Sequence, residues 1–361
     1  MDSGSAGAVM AAGRSVSILA AFVEAPGEEP RMRSVPVPER VAGTTSLRVL
    51  AAPLNPLDLL IASGTFHSAR HDDPYVPGSE FVGVVEESDT HAAGSLMYGE
   101  CHASPTTPGA FAEWVVVADD DLLPLPTGVD PVLAAAVGNS GIAAFLPMIE
   151  TAQLRPGETV LVLGATGAVG RLAVQIARQQ GAGRVVGLAR NVEMLEQLPA
   201  LGADAIVALR ADEDADALAS RLREAIGSVD VVLDCLYGTP LEAALQVCAP
   251  HARVVNVGHS AGHTARIAAG VLRGQQIRLI GFAGLHTPLA EKRAGLEWLW
   301  RALASGRLRT EVTPIRLDEL PAAWRAQARS PHTKYVVVPN GTGFPGSAPA
   351  AVTRSRKTST A

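Results

Sequence analysis

The sequence predicts an α/β protein in which a β-rich domain is combined with a parallel sheet covered by helices on both faces. Three observations support this fold class. Strand-like runs alternate with helical patterns over residues 133–283, which is typical of doubly wound sheets. Short apolar runs separated by proline and glycine fill residues 15–130. The chain of 361 residues is also long enough for two domains.

The first part of the chain has the pattern of strands joined by turns. The runs SILAAFV, SLRVLAAP, EFVGVVE and AEWVVV are short and rich in β-forming residues, and prolines and glycines separate them. Two low-complexity segments flank the folded part of the chain, residues 1–14 and 340–361. We expect both of them to be disordered.

The second part alternates between the two kinds of element. Its strands are TVLVLG, RVVGLA, AIVAL, VDVVLDC, ARVVNVG and IRLIGFA. Between the first two, apolar residues recur at helical spacing from Val169 to Ala177, and Gly181 is expected to end that helix. Further on, residues 289–305 are predicted to be a helix and residues 334–339 a closing strand.

Composition and charge exclude several classes of protein. The 30 basic and 36 acidic residues give a net charge of −6 without a long basic run, so we expect no nucleic-acid partner. The chain has three cysteines, Cys101, Cys235 and Cys248, which are far apart in the sequence. An odd number at these spacings argues against a disulfide framework and fits a reducing, cytoplasmic location. Proline and glycine interrupt the uncharged stretch 131–149, so we expect no membrane span.

The strongest motif is VLVLGATGAVG over residues 160–170, where a buried strand leads through a glycine turn into a helix. Glycines allow the backbone to approach a pyrophosphate, and the free amides at the helix start bind its negative charge. The following strand, residues 184–189, completes the context that this motif requires. The pattern therefore predicts a dinucleotide site.

The end of that second strand indicates which dinucleotide is bound. An acidic residue about 20 positions after the glycines would hold the ribose hydroxyl of NAD. Here the position is occupied by Arg190, followed by Asn191. Because a guanidinium group can bind a 2′-phosphate through two hydrogen bonds, we expect NADPH to be preferred. The alternative is that Arg190 is a solvated loop residue.

Several segments together resemble the medium-chain dehydrogenase/reductase superfamily, on its zinc-independent, quinone oxidoreductase-like branch. They occur in the order of the family across residues 15–340. Besides the glycine motif they are AAPLNPLD (51–58), VPGSEFVGV (76–84), GAFAEWVV (109–116), LGAD (201–204), VVLD (231–234), VVNVG (254–258) and KYVVV (334–338).

This resemblance implies a split, β-rich GroES-like catalytic domain and a doubly wound Rossmann nucleotide-binding domain. The catalytic domain would comprise residues 15–136 and 284–339, and the nucleotide-binding domain residues 137–283. Nicotinamide and substrate would meet in the cleft between them. The resemblance also implies a homodimer formed through the edge strand within residues 276–283.

Zinc-dependent relatives have a cysteine where this chain has Asn55, and Gly-His-Glu where it has Gly78-Ser79-Glu80. They also carry a four-cysteine lobe, whereas this chain has only Cys101 and His102 in that region. Since a catalytic zinc needs three protein ligands and a structural zinc needs four, we predict no metal.

By resemblance, a set of residues would contact the cofactor, with Lys334 reaching the 2′-phosphate. The set comprises Asn139, Ser140, Thr166, Gly167, Ala168, Val169, Arg190, Asn191, Leu236, Val257, Gly258, His259, Phe282 and Lys334. Asn55 is the candidate catalytic residue, as a polar contact near nicotinamide and substrate, although Asn-Pro is also an ordinary turn. Asp58 is expected to hold that turn in shape.

The chemistry that remains without a metal is hydride addition to an activated C=C bond, in which hydrogen-bond donors hold the charge on the carbonyl oxygen. We therefore predict an NADPH-dependent reductase of quinones or α,β-unsaturated carbonyl compounds. Leu60, Ala143 and Leu209 replace polar residues usual in the branch and predict an apolar pocket for a small apolar carbonyl or quinone. Two alternatives stay open: a zinc-free carbonyl reductase or alcohol dehydrogenase of a biosynthetic pathway, and a non-catalytic NADPH-binding protein.

Overall fold

The computed structural model describes residues 17–66 and 71–339. The two segments expected to be disordered, residues 1–14 and 340–361, lie outside these ranges. No helix within the described residues is long and apolar enough to cross a membrane. The predicted fold class is confirmed: a six-stranded sheet is parallel and flanked by helices, and a seven-stranded sheet is largely antiparallel.

The β-rich part is assembled from both ends of the chain. Its strands are β1 (Ser17–Phe22), β2 (Arg31–Pro36), β3 (Thr44–Pro53), β4 (Glu80–Glu87), β5 (Leu96–Glu100), β6 (Trp114–Ala118), β7 (Leu122–Pro124), β14 (Val312–Ile315) and β15 (Lys334–Val337). The main sheet has the order β14-β15-β3-β4-β5-β7. Strand β6 pairs with the first half of β3, whereas β15 pairs with the last residues of β3. A separate antiparallel pair is formed by β1 and β2.

The closing strand β15 returns the chain to the first sheet. Val336 lies opposite Pro53 and Val337 opposite Ala52, so β15 runs antiparallel to β3. Since β3 continues directly into Asn55, this pairing brings Lys334 beside the Asn-Pro turn although the two lie 279 positions apart. The last strand of the sheet therefore places a lysine side chain next to the turn that follows β3.

The parallel sheet consists of the strands β8 (Thr159–Leu163), β9 (Arg184–Ala189), β10 (Ala205–Ala208), β11 (Val229–Asp234), β12 (Cys248–Asn256) and β13 (Arg278–Gly281). Their order is β10-β9-β8-β11-β12-β13. Strand order reverses beside β8, which pairs with β9 on one side and β11 on the other. In doubly wound sheets ligands bind at this point, beyond the carboxyl ends of the strands.

Ten helices accompany the sheets within the described residues. They are α1 (Pro56–Ala62), α2 (Pro131–Ala136), α3 (Gly138–Leu146), α4 (Ala168–Gln179), α5 (Val192–Leu195), α6 (Ala215–Ile226), α7 (Gly238–Leu245), α8 (Ala269–Gln275), α9 (Leu289–Ala304) and α10 (Leu320–Gln327). Alternate residues of β8 pack against different layers of these helices. Val160 and Val162 belong to the core that contains α3, α4 and α9, while Leu161 and Leu163 belong to the core beneath α6 and α7. This explains the uninterrupted apolar run, because both faces of the strand are buried.

Helix α9 belongs to a hydrophobic core that includes residues of both sheets. Its Trp300 is fully buried, stacks edge-on against Tyr98 of β5 at 5.6 Å and donates to the carbonyl oxygen of Ala134. Its Lys292 donates to both carboxylate oxygens of Glu100 at 2.8 Å. These buried contacts fix the position of the β-rich sheet relative to α2, which precedes the parallel sheet in the chain.

Candidate active site at the domain junction

The turn after β8 has the close packing that a pyrophosphate cradle requires. Gly164 has a φ of +87°, a backbone conformation that residues other than glycine rarely adopt. A Cβ atom on Gly170 would lie 2.3 Å from the carbonyl oxygen of Gly164, so helix and strand meet here without space for a side chain. Gly167 precedes the first residue of α4, whose first backbone amides have no acceptor within the helix.

Most residues expected to contact the cofactor are brought to one edge of the parallel sheet. In the parallel register, the last residues of β8, β11, β12 and β13 lie side by side, and β9 ends one position further along. Residues that follow these strand ends therefore face a common crevice. They are Thr166, Gly167, Ala168 and Val169 after β8, Arg190 and Asn191 after β9, Leu236 after β11, Val257, Gly258 and His259 after β12, and Phe282 after β13.

The adenosine end of this crevice carries an exposed cation. Arg190 follows β9 immediately and is exposed, and its side chain makes no hydrogen bond or ion pair among the described residues. Asn191 has a different role in the structure, since its side-chain oxygen accepts from the backbone amide of Met194 and caps α5. The side chain of Arg190 is thus available to an anion, whereas that of Asn191 is used locally.

Asp234 shapes the nicotinamide end of the crevice, a role that the sequence patterns did not predict. Its carboxylate accepts from the backbone amides of Leu236 and Tyr237, both at 2.9 Å, and from the side-chain amide of Asn256 at 2.8 Å. Burial raises the pKa of Asp234, and these hydrogen bonds oppose that effect. The ends of β11 and β12 are therefore held in a fixed geometry.

Glu80 is the centre of a buried hydrogen-bond network where the two sheets meet. Its carboxylate accepts from Asn55 Nδ2 at 2.9 Å, from the Tyr98 hydroxyl at 2.8 Å and from the backbone amide of Asn139 at 2.6 Å. The three donors lie at the start of α1, on β5 and on α3, so one carboxylate joins both parts of the molecule. A Cβ atom at Gly284 would lie 3.7 Å from the side-chain oxygen of Asn139, which places the segment after β13 against the same network.

Lys334 occupies a different place from the one expected for a 2′-phosphate ligand, and that expectation is corrected. Its side chain is only 4% exposed, and its ammonium group donates to Asn55 Oδ1 and, at 3.0 Å, to the hydroxyl of Ser140. Burial lowers the pKa of Lys334, while Glu80 and Asp58 oppose that effect. The pairing of β15 with β3 directs this lysine into the junction and away from solvent.

Asn55 is central to the junction, but its side chain is not free to contact a substrate. It is 1% exposed. Its amide nitrogen donates to Glu80 and to the carbonyl oxygen of Pro53 at 3.3 Å, while its oxygen accepts from Lys334. The predicted direct contact is therefore corrected to a positioning role, because both the nitrogen and the oxygen of this amide already have partners.

The expected role of Asp58 agrees with the geometry. Asp58 Oδ2 accepts from the backbone amide of Asn55 at 2.8 Å, at the N-terminal end of α1. Burial raises the pKa of Asp58 to about 7, against the opposing effects of hydrogen bonds from Asn55 and Ser79. At neutral pH this carboxyl group therefore exists in both protonation states.

A cavity of about 320 Å³ opens beside the network. Asp58 and Ser79 line it from the β-rich part, and Leu285 lines it from the segment after β13. Apolar residues, Leu285 and Ile61 among them, form the larger part of the cavity wall, and polar residues form the rest. The polar residues are Asp58, His71, Tyr75, Ser79, His102, Ser104 and His286. Most of them lie outside the segments that carry the family motifs, so those motifs gave no indication of the polar part of the wall.

Ser79 is a second residue whose role the sequence patterns do not reveal. Its hydroxyl lies 3.5 Å from the Asn55 amide nitrogen, and its side chain lines the cavity. The signal in the sequence is the replacement of Gly-His-Glu by Gly78-Ser79-Glu80, which removes a metal ligand. The replacement also introduces a hydrogen-bond donor.

The residues at this junction do not suit a zinc ion. Asn55 and Ser79 stand in the positions of two ligands, and the Glu80 carboxylate is occupied by three donors. Nitrogen and sulfur ligands, which zinc prefers, are missing from this set. Across residues 17–66 and 71–339, no group of three or more His, Cys, Asp and Glu residues is arranged to hold a metal.

Two family models match the chain. The alcohol dehydrogenase GroES-like domain matches residues 42–127, and the zinc-binding dehydrogenase model matches residues 168–301. Among curated proteins, quinone oxidoreductase of Sus scrofa is 30% identical over 227 residues, which cover 62% of this chain and 67% of that protein. A phenolphthiocerol/phthiocerol polyketide synthase polypeptide of Mycobacterium tuberculosis is 30% identical over 303 residues, 81% of this chain and 13% of that protein.

Solved structures show the same relationship. Quinone oxidoreductase from Thermus thermophilus, described with its NADPH complex, is 33% identical, with a TM-score of 0.73 over 89% of this chain and 99% of that one. The fold and the junction define a medium-chain oxidoreductase. The chain belongs to the medium-chain dehydrogenase/reductase superfamily and to its quinone oxidoreductase-like branch.

Proposed function

We propose that the protein is an NADPH-dependent reductase of quinones or α,β-unsaturated carbonyl compounds that works without a metal ion. The observation that carries this proposal is the cavity at the junction, where the Ser79 hydroxyl lies beside a network of Asn55, Glu80 and Lys334 that does not suit zinc. We also propose that the chain divides into residues 15–136 with 284–339 and residues 137–283, with the reaction in the cleft between them.

The crevice of the parallel sheet suits a phosphorylated dinucleotide. The turn Gly164–Gly170 allows close approach of a pyrophosphate, and exposed Arg190 supplies a cation where a 2′-phosphate would lie. The Thermus relative described with NADPH supports this choice. Asn139, Ser140, Leu236, Val257, Gly258, His259 and Phe282 would then surround the nicotinamide half.

When bound, NADPH would supply a hydride for the carbon β to the carbonyl group, and the adjacent carbon would take its proton from a water molecule or a weak acid. The residues of the junction then have two tasks: to hold the carbonyl oxygen and to exclude bulk water. Ser79 both adjoins the network and lines the cavity, so we assign its hydroxyl the hydrogen bond to that oxygen in the form of the protein in which Asp58 is protonated and does not accept the Ser79 hydrogen. Asn55 and Asp58 act as positioning residues, because both are bound inside the protein and both adjoin Ser79.

Turnover of a substrate panel tests this function. With NADPH and a set of enones, quinones and ketones, we expect NADPH consumption with enones or quinones, and product analysis that shows reduction of C=C. Reduction of ketones alone would favour the alternative carbonyl reductase or alcohol dehydrogenase. Tight NADPH binding without consumption on any of them would contradict an enzymatic function and support a non-catalytic binding protein.

Ser79→Ala tests the assigned donor. Removal of one donor to a developing oxyanion lowers kcat by about 10²–10³ in other enzymes, and we expect a loss of at least about tenfold here. The matched control is Ser305→Ala, which removes a hydroxyl at the end of α9. An unchanged kcat in the Ser79 variant would show that another group holds the carbonyl oxygen.

Arg190→Ala tests the cofactor assignment. Loss of a charge-assisted hydrogen-bonded pair should weaken NADPH binding by about 1–3 kcal/mol and leave NADH binding nearly unchanged. Both dissociation constants can be measured by quenching of protein fluorescence. Equal losses for the two cofactors would show that Arg190 does not contact the 2′-phosphate.

We further propose a homodimer formed through residues 276–283. Strand β13 is the last strand of the parallel sheet and pairs only with β12, so its outer edge is free among the described residues. Sedimentation equilibrium should give twice the mass of the 37.4 kDa chain. The three cysteines are unpaired, which suits the cytoplasmic location that we propose.

A further inference from the structure

Two residues that line the junction cavity each carry a buried polar atom without a hydrogen-bond partner. The hydroxyl of Tyr75 and the Nε2 atom of His71 are both buried and unpartnered, and both residues line the cavity. In the described part of the chain, buried side-chain atoms of this kind occur at four residues, and two of the four are here. Tyr75 is only 3% exposed.

These two residues form one unit. Their rings meet edge to face with centroids 4.7 Å apart, so the position of one side chain depends on the other. Tyr75 is also held by its backbone, which exchanges two hydrogen bonds with Val23. Burial and the nearby Asp58 carboxyl raise the pKa of Tyr75, so its hydroxyl stays protonated and remains a donor.

A buried donor without an acceptor destabilises the folded state, because its hydrogen bond to water in the unfolded chain is not replaced. The phenylalanine side chain would fill the same space without that cost. A polar group kept in such a position suggests that a partner arrives from outside the protein. The cavity beside it, at about 320 Å³, has the size of a small-ligand site.

We propose that Tyr75 and His71 bind a second oxygen atom of the substrate, so that the preferred substrate is a conjugated ring carbonyl compound bearing a further hydroxyl or carbonyl group. This inference rests on the proposed function for the first oxygen, the carbonyl oxygen that accepts a hydrogen bond from Ser79. It adds a specificity determinant on the same cavity, one that distinguishes substrates with two oxygens from substrates with one.

The second oxygen belongs to a neutral group. The Asp58 carboxyl lines the same cavity, and its negative form would repel a carboxylate or a phosphate. The Tyr75 hydroxyl donates to either a hydroxyl or a carbonyl oxygen, and His71 Nε2 can donate or accept according to its tautomer. The pair therefore suits a ring hydroxyl or a second ring carbonyl.

Equilibrium binding of unreactive ligands tests the proposal without turnover. The probes are phenol and the three isomers of dihydroxybenzene, which differ from phenol by one hydroxyl group, titrated by NMR against the protein saturated with NADP⁺. We expect at least one isomer to bind about five- to tenfold more tightly than phenol, as one buried hydrogen bond provides. In Tyr75→Phe, and likewise in His71→Phe, this ratio should fall toward one.

The matched control is Tyr335→Phe, which removes a phenol hydroxyl on β15 outside the cavity wall, and it should keep the wild-type ratio. Without ligand, Tyr75→Phe should melt at the wild-type temperature or above it, since an unpartnered hydroxyl is lost. A preference for no isomer, a ratio that survives in Tyr75→Phe, or a lower melting temperature of that variant would each overturn the proposal. Failure of the proposed function would appear separately, as absent NADPH consumption with intact binding ratios.

Discussion

The buried carboxyl of Asp58 gives a pH dependence that can be worked out from the structure. Its pKa rises from an ordinary 3.8 to about 7 in the folded protein, because burial disfavours the ionised form. Between about pH 4 and pH 7 the folded state therefore keeps a proton that the unfolded state has released. Stability from this group falls as pH rises through that window and is level above it.

The size of the effect follows from the same two values. One pKa unit corresponds to about 1.4 kcal/mol, so the interval from 3.8 to about 7 amounts to about 4 kcal/mol. Asp58→Asn removes the ionisation but retains an oxygen that can accept from the backbone amide of Asn55. The stability of the wild type relative to this variant should thus decrease by about 4 kcal/mol from about pH 4 to about pH 7.5.

Urea denaturation at several pH values measures this difference, and other titrating groups cancel because they are common to both proteins. Asp58→Ala is the second variant, since it removes the charge and also the hydrogen bond at the start of α1. It should show the same pH dependence as Asp58→Asn, with a constant additional loss of about 1 kcal/mol for the lost cap. A stability difference that does not vary with pH would refute the raised pKa.

Three further predictions concern the cradle and the junction. Gly170→Ala should lower the free energy of unfolding by about 2 kcal/mol, because its Cβ would lie 2.3 Å from the carbonyl oxygen of Gly164. In Gly167→Ala the Cβ would lie 3.5 Å from the same oxygen, so this variant should fold normally. It should bind NADPH more weakly, as measured by protein fluorescence. Lys334→Met should cost about 3 kcal/mol in urea denaturation, because the buried oxygens of Asn55 and Ser140 lose a charged hydrogen-bond donor; a loss below about 1 kcal/mol would contradict this. Turnover should decline as pH rises through about 7, because ionised Asp58 draws the Ser79 hydrogen away from the substrate, and Asp58→Asn should flatten that profile.

The elements of the fold were largely readable from the sequence because their signals are local. The apolar run of β8, its glycine turn and the helical spacing of α4 each depend on neighbours within a few positions. The helix predicted for residues 289–305 is found as Leu289–Ala304. For the same reason the crevice was predictable, since each cofactor candidate after a strand follows from the position of that strand.

The roles of the junction residues were decided only by the tertiary structure. Whether Asn55 is free or fully bonded depends on Lys334, 279 positions away, and on Glu80, 25 positions away. The polarity of the cavity likewise depends on Tyr75 and Ser79 meeting the segment after β13. Local patterns determined which elements form, because their periodicity is written in adjacent residues; the availability of each polar group was set by contacts between distant segments, which no local pattern records.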